Sequence, residues 1–494
     1  MDDHDTLDPQ DWRQFRAQAH RALDAVVDHL SSPREQAGWR AVPPDTAARL
    51  RAPFSAEGIG LDAAIDQAVH EVLAYPTGNA HPRFWGWVIG SGAPAGIVGD
   101  VLAAGLNANN FGSDQAAAHV ELAVIDWAKS LVGYPAEATG LLVSGGSMAN
   151  LAGLAVARNE RGGPGVREEG LSGHTARLVV YASKETHSSV RKALELMGMG
   201  ERSLSLIPVH PDKSIDLDSL RQAIEHDRVL GRRPIAVVGN AGTVNTGAID
   251  PLDALADLAA EQKLWFHVDG AIGVPALLTA TGRRLFRGIE RADSIALDLH
   301  KWLYMPYECG MVLVRHAGLQ HRAFNTVAPY LATGNGGVAD GPFAFNEHGV
   351  QLSRGFKALK VWLALKAHGT QPFAAAIERN LEQARYLATR VQAEPALELM
   401  APVALNVVCF RHRGGPAAAE SGEVDALNRR ILVALQTGGI AVPSGTVVDG
   451  RAGLRVAITN HRSTEADFDA LIDATLTLGA RFLQEPGASS RRTA

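Results

Sequence analysis

Residues 293–310 read DSIALDLHKWLYMPYECG. An apolar run ends in His300 and Lys301, and two aromatics, Trp302 and Tyr304, follow within three residues. Lysine is rarely buried without a partner. At the end of an apolar run its amine either snorkels to water along its aliphatic stem or is held for chemistry. A second apolar run, GMVLVR (310–315), follows at once. The lysine therefore lies where the chain leaves its core, and the nature of the flanking runs decides the fold.

Working outward, apolar strand candidates recur at GLLVS (140–144), RLVVYAS (177–183), PIAVVGN (234–240), LWFHVDG (264–270), SIALDLH (294–300) and GMVLVR (310–315). Helical patterns occupy 147–160, 187–198, 216–230 and 250–263 between them. The last opens on Asp250-Pro251, which reads as a cap followed by proline at the first helical position. Strands apolar on both faces that alternate with helices predict an α/β fold, a mostly parallel sheet between helical layers. Ligands of such sheets bind beyond the carboxyl ends of the strands.

Before this core, Phe15, Leu23, Val26, Val27 and Leu30 fall at helical spacing within 12–31. They form an amphipathic helix that needs a partner surface. Residues 32–60 read as linker and short helix, and YPTGNAHPRFWGW (75–87) as a boundary. A helical stretch, 355–390, follows the core. LNVVCF (405–410), GLRVAIT (453–459) and a helix near 465–482 predict a smaller α+β domain, and PGASSRRTA at the end reads as disordered. The expected division is 1–85, 86–370 and 371–494.

Bulk properties exclude several classes. The 494 residues are 46% hydrophobic and 20% charged, a soluble globular composition. A net charge of −6 argues against nucleic-acid binding, which needs a basic face. Two cysteines, Cys309 and Cys409, make no disulfide framework or zinc motif, which fits a reducing cytoplasm. The acidic, polar N-terminus is not a signal peptide. No run reaches the roughly 18 apolar residues of a membrane span.

Chemistry-bearing residues stand at the strand ends. SGGSMANLAGL (144–154) places glycines after a strand and Ser147 where a helix begins. Free amides at a helix N-terminus bind phosphate, and glycine allows close approach; an ordinary turn with Ser147 as N-cap reads equally from these residues alone. In YASKETHSSVRKA (181–193), His187 either lies over a planar ring or caps its own turn. Thr243 follows the strand of VVGNAGTVNTGAIDP (237–251). Asp269 closes a strongly apolar strand, where a carboxylate is costly unless it is paired; it either serves a ligand or caps the turn before Gly270. A lysine in a dry site becomes a nucleophilic amine able to form a Schiff base. A phosphate cradle, a stacking imidazole, a buried carboxylate and an amine together match pyridoxal 5'-phosphate, whose protonated ring nitrogen an aspartate would hold.

The ordered segments HPRFWGW, SGGSMANL, THSSVRKA, GTVNTGAIDP, HVDGAIG, DLHKWLYMPYECG and LSRGFKALKVW span about residues 75–370. They resemble the group II pyridoxal-phosphate-dependent amino acid decarboxylases, the aromatic-amino-acid, histidine and glutamate decarboxylase group. The resemblance implies fold type I, the aspartate-aminotransferase type. It implies a homodimer with active sites at the subunit interface and residues 1–85 wrapping the partner. It also implies decarboxylation of an L-amino acid, with Lys301 holding the cofactor and Asp269 at its ring nitrogen. Ala271 would pack under the ring and His187 stack on it. Gly146, Ser147 and His300 would contact the phosphate, and Thr243 would neighbour cofactor and substrate. Tyr330, in the glycine-rich loop NTVAPYLATGNGGVADGPF (325–343), resembles the tyrosine that protonates the carbanion.

This chain departs from the family at two points. Asp298 stands before LHK where many members have asparagine, and is expected to point away from the phosphate. Asn107 and Asn109, in the segment expected to line the partner's substrate pocket, fall where aromatic decarboxylases tend to be apolar. Trp85, Trp87 and Phe111 would still form an aromatic slot. Three other readings stay open: oxidative decarboxylation–deamination to an aldehyde, a carbon–carbon lyase of the sphingosine-phosphate-lyase type, and a non-catalytic structural dimer.

Overall fold

The computed structural model describes residues 6–172, 176–326, 337–415 and 421–485. Twelve strands lie among these. In chain order they are β1 (Phe84–Trp85), β2 (Thr139–Val143), β3 (Leu178–Ser183), β4 (Leu204–Ile207), β5 (Arg233–Asn240), β6 (Trp265–Asp269), β7 (Ser294–Asp298), β8 (Gly310–Val314), β9 (Leu397–Leu399), β10 (Val407–His412), β11 (Val442–Val448) and β12 (Arg451–Ala457). A seven-stranded sheet runs in the order β2-β8-β7-β6-β5-β3-β4. Its pairs are parallel, except that β8 is antiparallel to both neighbours, β2 and β7. Strands β3, β6, β7 and β8 are buried at every residue, because helices cover both faces.

The helices follow the predicted intervals closely: Gly146–Arg161, Ser188–Leu196, Leu217–Val229 and Leu252–Gln262. One start differs. Pro251 is the N-cap, not the first helical residue, and Asp250 is no cap. The Asp250 carboxylate instead accepts from the amides of Ile215 and Asn240 and from the Asn240 side chain, all at 2.8 Å. Strands β4 and β11 have no counterpart in the reading above. β4 is a half-exposed edge, and β11 (VPSGTVV) contains a proline and a glycine that weaken any strand signal.

The second sheet runs β1-β11-β12-β10-β9. Its first strand comes from far upstream, in a segment expected to belong to the N-terminal arm: Phe84 pairs with Val442 and Trp85 with Pro443. Trp85 is 1% exposed. Its ring stacks on Phe468 with centroids 4.8 Å apart, and Nε1 donates to Ser463 Oγ at 3.0 Å. It is a core residue packed against the second sheet, which corrects its expected place in a substrate slot: the two-residue pairing with β11 turns the indole inward.

The N-terminal helix spans Trp12–Ser31, capped by Asp11, and none of its residues is buried. Trp12, Phe15, Leu23 and Val27 remain exposed.

Truncating a buried aromatic of this size costs about 3–5 kcal/mol. Trp85→Ala is therefore expected to lower the unfolding free energy by that order, seen as a lower urea midpoint. Circular dichroism and tryptophan fluorescence would measure it, and an unchanged midpoint would contradict the core role.

Candidate active site

At the carboxyl ends of the large sheet a cavity of about 410 Å³ opens, in the size range of small-molecule sites. Gly146, Ser147, Asn150, His187, Asp269, Ala271, Asp298, His300 and Lys301 all line it. They come from different strand ends, and the sheet register brings them level: Val143 and Asp298 both pair with Gly310, and Asn240 pairs with Asp269.

The turn after β2 is closely packed. A Cβ on Gly146 would lie 2.9 Å from Asp298 Oδ2 and 3.2 Å from the Ala271 methyl. One on Gly310 would lie 2.4 Å from Gly145 Cα. The helix starts at Gly146 with Gly145 as N-cap and no side-chain cap. Ser147 is thus the second helical residue and exposed, so the ordinary N-cap reading fails and its hydroxyl faces the cavity mouth. The first-turn amides are left to a ligand or water.

Asp269, 6% exposed, ends β6. Its Oδ2 accepts from Asn150 Nδ2 at 2.9 Å and its Oδ1 from the Ala271 amide at 3.2 Å. His187 does two things at once. It caps its own helix, with Nδ1 accepting from the Ser189 amide at 3.2 Å, and its ring lines the cavity. Burial holds its pKa below 6.5, with Lys301 acting in the same sense and Asp269 opposing.

Lys301 Nζ lies 2.8 Å from Asp298 Oδ2. The expectation that Asp298 points away is corrected here. β7 ends at Asp298, and the turn after it returns Lys301 over that carboxylate. His300 Nε2 is 3.7 Å from the other oxygen, Oδ1, which is buried and has no hydrogen-bond partner. His300 Nδ1 accepts from the Cys309 amide at 3.0 Å, its ring packs 4.2 Å from Tyr307, and burial lowers its pKa.

Other expected residues lie elsewhere. Thr243 is fully buried behind the loop: its hydroxyl accepts from the Ala248 amide at 3.0 Å and meets Thr246, while Gly242 and Val244 take the cavity wall. Trp87 is 59% exposed, and its carbonyl accepts from Arg455. With Trp39, Tyr75 and Phe84 it lines a separate hollow. Asn107 ends the helix Pro94–Leu106 in a left-handed conformation, exposed. Asn109 Oδ1 accepts from the Arg354 amide. Neither asparagine lines the cavity within its own chain. Tyr330 lies outside the described residues.

Sequence reading missed Asn150, Ser189, Asn240 and Tyr307, which also line the cavity. For Asn150 a signal existed: it stands three residues past Ser147, on the same helical face.

These residues fit pyridoxal phosphate. A glycine cradle that a Cβ would fill, a helix N-terminus without a side-chain cap, one amine and one buried carboxylate answer its phosphate, aldehyde and ring nitrogen in turn. Fold and site define a pyridoxal-phosphate enzyme of fold type I. The family described as the pyridoxal-dependent decarboxylase conserved domain matches residues 48–413, and the chain belongs to it.

An aromatic-L-amino-acid decarboxylase of Bacillus atrophaeus is 32% identical, over 91% of this chain and 92% of its own. An L-2,4-diaminobutyrate decarboxylase of Rhizobium meliloti is also 32% identical, over 94% and 92%. The crystal structure of Oryza sativa TDC with PLP and tryptamine superposes with a TM-score of 0.89 at 27% identity, covering 97% of this chain and 100% of that one. The protein is a pyridoxal-phosphate-dependent amino acid decarboxylase.

Burial under the site has a measurable cost in acid. His267, beneath Asp269, and His348 are both pushed down to about 4, chiefly by burial. In the unfolded chain they titrate near 6.5. Between those values the unfolded state binds more protons, so stability falls as pH drops from about 6.5 to 4. Urea unfolding at pH 7, 5.5 and 4.5 should show this decline. His267→Gln should make the slope shallower while lowering stability at pH 7.

Proposed function

We propose that the chain converts an L-amino acid to its amine, with Lys301 as the residue that holds the cofactor. The observation that carries this reading is the shared cavity: the Lys301 amine, poised on Asp298, opens onto the same space as the doubly bonded Asp269 carboxylate.

When bound, pyridoxal phosphate supplies an electron sink for the pair released as the Cα–carboxylate bond breaks. The protein's own groups do the rest. Asp269 would accept a hydrogen bond from the protonated ring nitrogen, keeping that sink charged. Ala271 and His187, which line the same cavity, would hold the ring between them. Gly146, Ser147 and the amides that follow receive the phosphate, with His300 beside them. Asp298 keeps the Lys301 side chain folded over the strand end. Tyr330, from the segment that resembles the family's tyrosine loop, would be the proton donor to Cα.

The amine product is favoured over an aldehyde because the chain keeps both the histidine at the ring face and the loop tyrosine. An aromatic amino acid is the first substrate to try, since one relative and one superposed structure carry aromatic chemistry in their names. The diaminobutyrate relative at equal identity makes a basic amino acid the next. The exposed apolar face of Trp12–Ser31 supports a homodimer whose arms cover one another. Two buried free thiols, Cys309 and Cys409, suit a cytoplasmic setting. Among the described residues no helix is long and apolar enough to cross a membrane.

Borohydride reduction of the cofactor-loaded protein should fix the cofactor on residue 301, read by peptide mass, and Lys301→Ala should stay colourless. A panel of aromatic, basic and acidic L-amino acids, assayed for carbon dioxide, amine and peroxide, should give amine without peroxide. Aldehyde with peroxide would mean the oxidative route. No turnover despite labelled Lys301 would favour a lyase or a scaffold.

A further inference from the structure

Below the cavity lies a buried chain of hydrogen bonds that the chemistry above does not use. Trp265 Nε1 meets Ser294 Oγ at 2.8 Å, and Ser294 Oγ meets His267 Nδ1 at 2.7 Å. His267 Nε2 meets Asn150 Oδ1 at 2.8 Å. From Asn150 the chain forks. Nδ2 reaches Asp269 Oδ2 and Ser189 Oγ, both at 2.9 Å, and Ser189 Oγ lies 2.7 Å from His187 Nδ1. Asn150, Ser189, His267 and Ser294 are all at most 3% exposed. The helix approaches closely enough because residue 153 is glycine: a Cβ there would lie 2.7 Å from His267 Cε1.

The direction of every bond is fixed from both ends. An indole N–H only donates, so Ser294 accepts from Trp265 and gives its own proton to His267 Nδ1. A carboxylate only accepts, so the Asn150 amide must turn its NH₂ toward Asp269 and its carbonyl toward His267. The two requirements agree, with His267 neutral and carrying its proton on Nε2. Along the other branch Ser189 accepts from Asn150 and donates to His187 Nδ1. That leaves the His187 proton on Nε2, the nitrogen not tied into its own turn.

We propose that Asn150 is the positioning residue that couples the Asp269 carboxylate to the His187 imidazole, holding the charge of the first and, through Ser189 Oγ, reinforcing the tautomer that the Ser189 amide also favours in the second. The proposal rests on the roles given above to Asp269 and His187. One amide then governs both the edge and the face of the cofactor. Replacing it by an isosteric carboxylate puts two acids at hydrogen-bond distance, which cannot both stay ionised.

The test uses the holoenzyme. Asn150→Asp should shift the absorbance of the bound cofactor and weaken cofactor affinity about tenfold or more, the worth of a hydrogen bond to a charged group. It should lower kcat by a similar factor, with KM within about threefold. Ser189→Ala cuts only the second branch. It should leave absorbance and cofactor affinity near those of the parent and move the acid limb of kcat up by about half to one pH unit, because neutral His187 loses a donor. The charged groups facing His187, namely Asp269, Lys301, Asp298 and Lys192, are unchanged in that variant.

Borohydride labelling of residue 301 is run alongside. If the parent is not labelled, the underlying reading of the site fails. If the parent and Asn150→Asp are both labelled but absorbance and affinity agree within threefold, the coupling alone is overturned. Where Asn150→Asp does not fold, an unmoved acid limb in Ser189→Ala overturns it.

Discussion

A carboxylate at the end of a fully buried strand must be met by donors, and the arrangement below the cavity follows from that requirement. Asp269 receives two, the Asn150 amide and the backbone of Ala271. An ionised acid left dry and unpaired would either take up a proton or cost several kcal/mol. Meeting it from a neighbouring helix requires that Gly146–Arg161 lie close on the sheet, which Gly146 and Gly153 permit by lacking side chains. It also requires that the amide's other end be occupied, which His267 does. The small-residue turn and the buried polar chain are thus two consequences of one charge.

What could be read from the sequence divides along the same physical line. Strand ends and helix spans were legible because burial on both faces leaves continuous apolar runs, and helices leave a 3.6-residue period. That Lys301, Asp269, His187 and the glycine turn line one cavity is legible because each lies at the end of such a run. Side-chain direction in the loops was not legible. Thr243 and Val244 are adjacent, and only the closed turn from Thr243 to Ala248 decides that the valine faces the cavity. Trp85 in an aromatic stretch could serve a slot or a core. The choice is made by a two-residue pairing with a strand hundreds of residues later, which no local pattern records. Asp250 looked like a helix cap because its proline neighbour fits one. Three buried donors at the sheet end outweighed that local preference.

The place of Lys301 depends on the one strand that breaks the parallel rule. β8 runs antiparallel between β2 and β7, so its first residue, Gly310, sits beside the last residues of both neighbours, Val143 and Asp298. Three chain segments therefore meet there, two leaving the sheet and one entering it. There is no room for a Cβ at the meeting point: on Gly310 it would clash with Gly145, and on Gly146 with Asp298. The connection from Asp298 back to Gly310 is only eleven residues long, so it must turn immediately, and the turn carries Lys301 back over the carboxylate it has just left. Were β8 parallel, the same connection would have to cross the length of the sheet, and the lysine would lie on a crossover rather than at the strand end. The amine is aimed into the cavity by topology before any hydrogen bond holds it there.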